Sequence, residues 1–436
     1  MTSTSSGTVD TIADCLYSLA TELFPICRSI TGEGVRQTLK VLQKHIPELI
    51  IQSIPSGTRC FDWTVPPEWA VRGAYILDAS GTKIVDFNEN NLHLVGYSTP
   101  VNREMDLAEL DGHLYSLPNQ PDAIPYVTSY YEPRWGFCLA HNQRTQMKSG
   151  RYRVVVDTSL EPGVLNYGEL IIPGSDTREV LLSTYICHPS MGNNETSGPV
   201  VTAFLAKWLG QSVTRRYTYR IVFVPETIGS IVYLSRHLEE MKRNTVAGFV
   251  ITCVGDDLSY SYLPSRDENT LSDRVAIHVL RSKVAAFKRF SFLDRGSDER
   301  QYCSPGVDLP IASVMRSKYH TYPEYHTSLD NLSFISPKGL WGAYEVLRHC
   351  LVAIERNRSY RTTVLCEPQL GRRGLYSKIS KTGSASAGGV RLMVNLLAYA
   401  DGHRDLIDIA EVLNVSVDDL YSHVDRLTEA GLLAEA

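Results

Sequence analysis

The feature that most constrains this chain is an alternation that sets in after Tyr167. "EVLLSTYIC" is an apolar run of strand length, and "SGPVVTAFLAKWLGQ" after it is an apolar helix. The alternation repeats through "YRIVFVP", "GSIVYLSRHLEEM", "AGFVITCVG" and "DLPIASVMR", and closes on the long helical stretch "SPKGLWGAYEVLRHCLVAIERN". Strands alternating with helices imply an α/β fold: a mostly parallel sheet flanked by helices.

Other textures surround this block. Leu16, Leu19, Ala20, Leu23 and Phe24 recur at helical spacing, and a second helical pattern runs from Val35 to Ile46, before Pro47. Aromatic, proline and β-branched residues dominate 57–155, where "DASGTK" reads as a hairpin turn between two strands. "SKISKTGSASAGGV" reads as a linker. The expected organisation is an α/β domain from 1–56 and 156–358, a β-rich insertion at 57–155, and a winged-helix-like domain at 359–436. A chain of 436 residues with 43% hydrophobic residues has ample material for such cores.

Charge and cysteines narrow the setting. A net charge of −5 gives no basic footprint for nucleic acid or an anionic membrane. No apolar run reaches membrane-spanning length, and "MTSTSSGTVD" lacks the basic and apolar regions of a signal peptide. The nine cysteines form no CxxC pair. They read as free thiols of a cytoplasmic protein.

In open α/β sheets, functional groups gather at the carboxyl ends of strands. That rule selects His188, Glu226, the segment 252–255, the Asp298–Glu299–Arg300 run in "GSDERQYCSPG", and His326 in "YHTSLDN". Each also has a structural reading. A histidine caps a strand end, Glu226 charges a first helical turn, and Asp298 to Arg300 form a salt-bridged loop. Cys187 reads as a small core residue and Asp330 as fixing the turn after His326. Arg300 suits a substrate carboxylate by bidentate pairing, with Asp298, Glu299 and Tyr325 beside it as substrate-binding candidates.

The strings "LATELFPICRSITGEGVR", "TRCFDWTVPPEW", "STYICHPS", "GSDERQYCSPG", "YHTSLDNLSFISP" and "EPQLGRRGLYSKI" resemble an aminopeptidase-like family with a C-terminal winged helix. That family is similar to the co-catalytic zinc aminopeptidases and glutaminyl cyclases. The resemblance implies that His188 and His326 are the first and last histidine ligands of the metal site, and that Glu226 is the general base. It also implies departures. Thr227 and Thr252 stand where two carboxylate ligands are expected, and Asn194 stands at the metal-bridging Asp, with Glu195 one position on. An amide offers one neutral oxygen and bridges poorly. The expectation is a single zinc per chain, held by His188, His326 and an oxygen from Asn194 or Glu195, although adjacent residues in a turn point apart.

"RDLIDIAEVLNVSVDDLYSHVDRLTEAGLL" has the rhythm of a winged helix, with Ser416 as an N-cap and Gly431 as the stop. From Asp401 onward it holds nine acidic residues against Arg404 and Arg426. Phosphates would be repelled, so a docking or dimerisation module, and with it a homo-oligomer, is the better expectation. The function expected is a zinc-dependent aminopeptidase-like or amide hydrolase acting on a peptide or small amide, with aromatics such as Trp63, Tyr126, Tyr130 and Trp135 walling the cleft or filling the core. The alternative is a binding or scaffold protein that has lost the metal.

Overall fold

The computed structural model describes residues 6–375 and 385–436. They form two compact units: Met1–Glu268 with Lys288–Glu345, and Asn269–Phe287 with Val346–Ala436. The block at 57–155 clusters with the first unit, and Asn269–Phe287 clusters with the second.

The first unit is built on an eight-stranded sheet. Its spatial order is Ile50–Pro55, Val164–Ile172, Thr218–Val224, Glu179–Tyr185, Thr245–Val250, Ile311–Met315, Ser261–Leu263 and Lys288–Arg289. The four strands from Thr218–Val224 to Ile311–Met315 are parallel. Antiparallel neighbours flank them on both sides. The sheet is therefore mixed around a parallel core, and the alternation read from the sequence is that core. Every residue of Glu179–Tyr185 is buried, which explains its continuous apolar run.

Chain order fixes where a site can form. The central strand Glu179–Tyr185 is followed by Thr218–Val224 on one side, and the chain then crosses to Thr245–Val250 on the other. Such a reversal opens a crevice at the carboxyl ends of the strands. The helix Ser197–Gln211 starts very close to this edge: a Cβ on Gly198 would stand 2.5 Å from both the Ile251 carbonyl oxygen and the Thr184 hydroxyl. Only glycine allows that approach.

The block at 57–155 contributes an antiparallel sheet in the order Lys83–Asp86, Glu68–Leu77, Arg151–Glu161, Val101–Asp106. The predicted hairpin turn is present: the Asp78 carboxylate accepts the backbone N–H groups of Ser80 and Thr82 at 2.9 and 3.0 Å.

The second unit carries the helices Leu271–Lys283, Ala385–Tyr399, Leu406–Leu413 and Val417–Glu429 with a three-stranded sheet ordered Asp401–Asp405, Ser359–Thr362, Leu433–Glu435. Ser416 caps its helix by accepting from Asp418 N at 3.4 Å, and Gly431 takes φ +68° beyond its end. The stretch read as a linker lies in part outside the described residues, and from Ala385 it is helical. All nine cysteines are free thiols. No helix among the described residues is long and apolar enough to cross a membrane.

Candidate metal centre at the strand ends

His188 follows the central strand by three residues, and the first turn after it is a π-helix, Gly192–Thr196. The i→i+5 bond from Thr196 N to Met191 O, 3.1 Å, defines this widened turn. Asp330 holds it from outside. Its two carboxylate oxygens accept Asn193 N at 2.6 Å and Asn194 N at 2.9 Å, and its carbonyl accepts Gly192 N. Asp330, read from the sequence as fixing the turn after His326, thus fixes this other turn, and it links the "YHTSLDN" loop with His326 to it.

Inside the turn, Asn194 and Glu195 diverge. The Asn194 amide nitrogen donates to the Tyr185 hydroxyl at 2.7 Å, and its carbonyl oxygen is buried without a partner among the described residues. Tyr185 donates to the Asn194 main-chain oxygen at 2.7 Å, which fixes the amide so that the nitrogen faces the phenol. Glu195 runs the other way. Its carboxylate lies 3.0 Å from His188 Nδ1 and 3.3 Å from Arg28 Nε, fully buried. Glu195 therefore sits behind His188, not on the side where Nε2 faces Glu226 at 3.7 Å.

His326 closes the site. Its ring centroid is 5.4 Å from that of His188, and the Tyr126 ring packs 5.1 Å from both. Tyr325 stacks on His326 at 3.9 Å. His326 Nε2 is buried and has no hydrogen-bond partner among the described residues. Burial, followed by the neighbouring His188 and His320, lowers its pKa to about 2. Burial and then Arg28 lower that of His188 to about 3. Both imidazoles are neutral near pH 7, the form in which histidine binds metals.

Glu226 enters from the neighbouring strand end with 20% of its side chain exposed. Its N–H donates to Cys187 Sγ at 3.2 Å. Burial, and then the charge of Asp298, push its carboxyl pKa up, while Arg300 opposes them. The next residue, Thr227, has φ +65°, an unusual conformation for a β-branched residue. Asp298 over-determines it by accepting Thr227 N at 2.7 Å and Ser230 Oγ at 2.8 Å, and Arg300 hydrogen-bonds the Thr227 hydroxyl. Cys253 and His326 also take positive φ.

The sequence candidates separate into groups. His188, Asn194, Glu226, His326 and Tyr325 lie around one crevice. Asp298 supports the Thr227 turn from a fully buried position. Glu299 is committed elsewhere: one oxygen accepts Gly296 N, Ser297 N and the Tyr319 hydroxyl at 2.6–3.0 Å. It closes its own loop and does not reach toward a substrate. Arg300 is exposed. Trp135 is core, stacked on His113 at 3.7 Å, and Trp63 is 38% exposed against Tyr131. Sequence reasoning missed Arg28 and Tyr185. Tyr126 was considered only as wall or core, and Cys187 only as core.

Cys187 Sγ, His188 Nδ1 and a Glu195 oxygen lie within 4.8 Å of one another, the spacing of a metal cluster. Arg28 already supplies the cation there, so a metal at that point would meet its guanidinium. Away from Arg28, His188 Nε2 faces Glu226, and His326 Nε2 and the Asn194 carbonyl oxygen are buried without partners among the described residues. Two imidazoles and an oxygen suit one zinc. The two threonines at the expected carboxylate positions are otherwise engaged. Thr227 is held by Arg300, and the Thr252 hydroxyl lies 2.6 Å from that of Tyr185.

Comparisons with known proteins agree with this architecture. The chain is 45% identical over 396 residues to a Clostridium acetobutylicum protein provisionally named as a polysaccharide biosynthesis protein with an aminopeptidase-like domain, covering 91% of this chain and 90% of that one. A crystal structure of a provisionally named peptidase from the same organism matches with TM-score 0.92 at 41% identity, over 99% of this chain and 98% of the other. A zinc aminopeptidase from Bacillus subtilis shares the fold, with TM-score 0.58 at 12% identity over 78% of this chain and 94% of that one. The family model of a domain of unknown function, DUF4910, matches residues 17–357, and a winged helix-turn-helix model matches 358–435. The chain belongs to the DUF4910 family, an aminopeptidase-like domain followed here by a winged helix.

Proposed function

We propose that this protein is a single-metal hydrolase that cleaves a peptide or amide bond of a small substrate. The observation that carries the reading is the approach of the His188 and His326 rings, centroids 5.4 Å apart, with His188 Nε2 3.7 Å from Glu226 and His326 Nε2 buried without a partner among the described residues. The two histidines, with Asn194 as a further oxygen donor, would hold a zinc ion, which when bound would supply Lewis acidity toward water and the substrate carbonyl. Glu226, its pKa raised toward neutrality, takes a proton from the attacking water as the C–O bond forms. It then returns that proton to the departing nitrogen as the C–N bond breaks. Arg300, exposed beside Thr227, pairs with a carboxylate on the substrate. Tyr126 and Tyr325 pack against the imidazoles and keep water from them. The C-terminal unit serves for docking and not for DNA.

Metal analysis and one variant test this. Wild-type protein dialysed against a mild chelator is expected to retain about one zinc per chain, the number that this donor set can complete. Glu226→Gln is expected to keep the zinc and the melting temperature while losing hydrolysis of aminoacyl anilides by a factor of ~10² or more. No zinc in the wild type would favour the scaffold reading, for which Asn194, Thr227 and Thr252 are the motive. Two zincs would refute the single-site geometry.

A further inference from the structure

The metal reading above, on which this inference rests, leaves Glu195 without a part. Glu195 is the only acidic side chain of the π-turn and is completely buried. Its Oε2 lies 3.0 Å from His188 Nδ1, and its Oε1 faces Arg28 Nε at 3.3 Å. Arg28 is itself 2% exposed and ties three segments together. Its Nη1 donates to the Leu23 carbonyl at 2.7 Å, its Nε to the His188 carbonyl at 3.0 Å, and its Nη2 to the Thr196 hydroxyl at 3.4 Å.

We propose that Glu195 is a positioning residue that fixes His188 as its Nδ1–H tautomer, with Arg28 anchoring the carboxylate, so that the Nε2 lone pair is kept for the cation. A neutral imidazole carries one ring proton, and the hydrogen bond made by one nitrogen decides the state of the other. In its ionised form, which the Arg28 charge favours against burial, the Glu195 carboxylate accepts and does not donate. Placed on Nδ1, it holds the proton there and leaves Nε2 bare, facing Glu226 at 3.7 Å. The other polar neighbour of Nδ1 is the Cys187 thiol at 3.5 Å, a weak partner that sets no tautomer. The π-turn makes the arrangement feasible. Its i→i+5 geometry turns Asn194 toward Tyr185 and Glu195 back toward His188, so that neighbours in sequence take different partners.

The test reads the proton directly, in metal-free, full-length, 15N-labelled protein at pH 9, where the carboxyl is ionised. Long-range ring correlations should show His188 as Nδ1–H in the wild type and in Glu195→Gln, whose amide oxygen still accepts. Glu195→Leu should lose that single tautomer, and its zinc affinity in chelator competition should fall roughly 10–100-fold. An unchanged tautomer and unchanged affinity in Glu195→Leu would overturn the proposal. If that variant does not fold, an Nε2–H tautomer in the wild type overturns it alone. A wild type that binds no zinc but shows the Nδ1–H tautomer would remove the metal reading and leave the role of Glu195 intact.

Discussion

The carboxyls of Glu195, Asp298 and Asp330 are buried and that of Glu226 is largely so, and burial raises the pKa of each. Glu195 is pushed to about 8 despite Arg28, and Asp330 to about 7 despite its hydrogen bonds. A carboxyl raised in the folded state holds its proton while the unfolded chain has released its own. The stability this contributes is complete below the unfolded value and is lost as pH rises through the folded one. These two carboxyls therefore lose their contribution between about pH 4 and 8, and metal-free protein is expected to show a net loss from about pH 6.5 to 8, above the range of the histidines. The two histidines act in the opposite sense. Their folded pKa values are depressed, so their contribution is present above about 6.5 and is lost as pH falls. Denaturant melts across pH, with and without zinc, check this. Zinc should offset the alkaline loss, and a metal-free protein that gains stability from about pH 6.5 to 8 would contradict the burial of these carboxyls.

Among secondary elements, the π-turn has the most dependents. Asp330 caps it with two short hydrogen bonds and accepts from the Tyr322 hydroxyl at 3.2 Å. Asp330→Ala leaves two buried N–H groups without acceptors and should cost about 2–4 kcal/mol in chemical denaturation. It should also release zinc, because Asn194 and His326 lose their shared anchor. A loss of stability with unchanged zinc content would separate the two effects. The sequence shows part of this element. His188, Glu226 and His326 could be found because each lies just past an apolar run, where the strand-end rule looks. "DASGTK" and Ser416 were legible because turn and cap chemistry is local. The π-turn was not, since "GNNET" carries no composition that distinguishes five residues per turn from four. Arg28 was invisible for another reason. Its partners, Leu23, His188, Glu195 and Thr196, come together only through packing. The antiparallel strands Ile50–Pro55 and Val164–Ile172 were missed because pairing direction is set by connection geometry, which short apolar runs do not encode.

At the scale of the whole molecule, the C-terminal unit spends its charge internally. Arg274 pairs with Asp405 and Asp408 at 2.6 Å, His278 Nδ1 lies 2.6 Å from Glu411, and Lys283 pairs with Asp418 at 2.6 Å. The start of the helix Val417–Glu429 is also occupied, because Val417 N donates to His278 Nε2 at 2.9 Å. In a winged helix, that end of the third helix is the part that reads a major groove. With it engaged, and Asp419, Asp425 and Glu429 along the same helix, duplex DNA should not be bound. A gel-shift titration at low salt is expected to show no retarded band at micromolar protein, and a band that disappears with added salt would reverse this view. The same pairings order events on the ribosome. The helix Leu271–Lys283 emerges well before the residues that complete its unit, since Arg274 precedes Asp405 by 131 positions. At about 5–20 residues per second the wait is roughly 7–26 s. Through that interval the nascent chain presents three basic side chains and the apolar Val275, Val279 and Leu280 with their acidic and hydrophobic partners not yet made. Translation pauses and chaperone contacts within that stretch thus bear on whether this unit closes correctly.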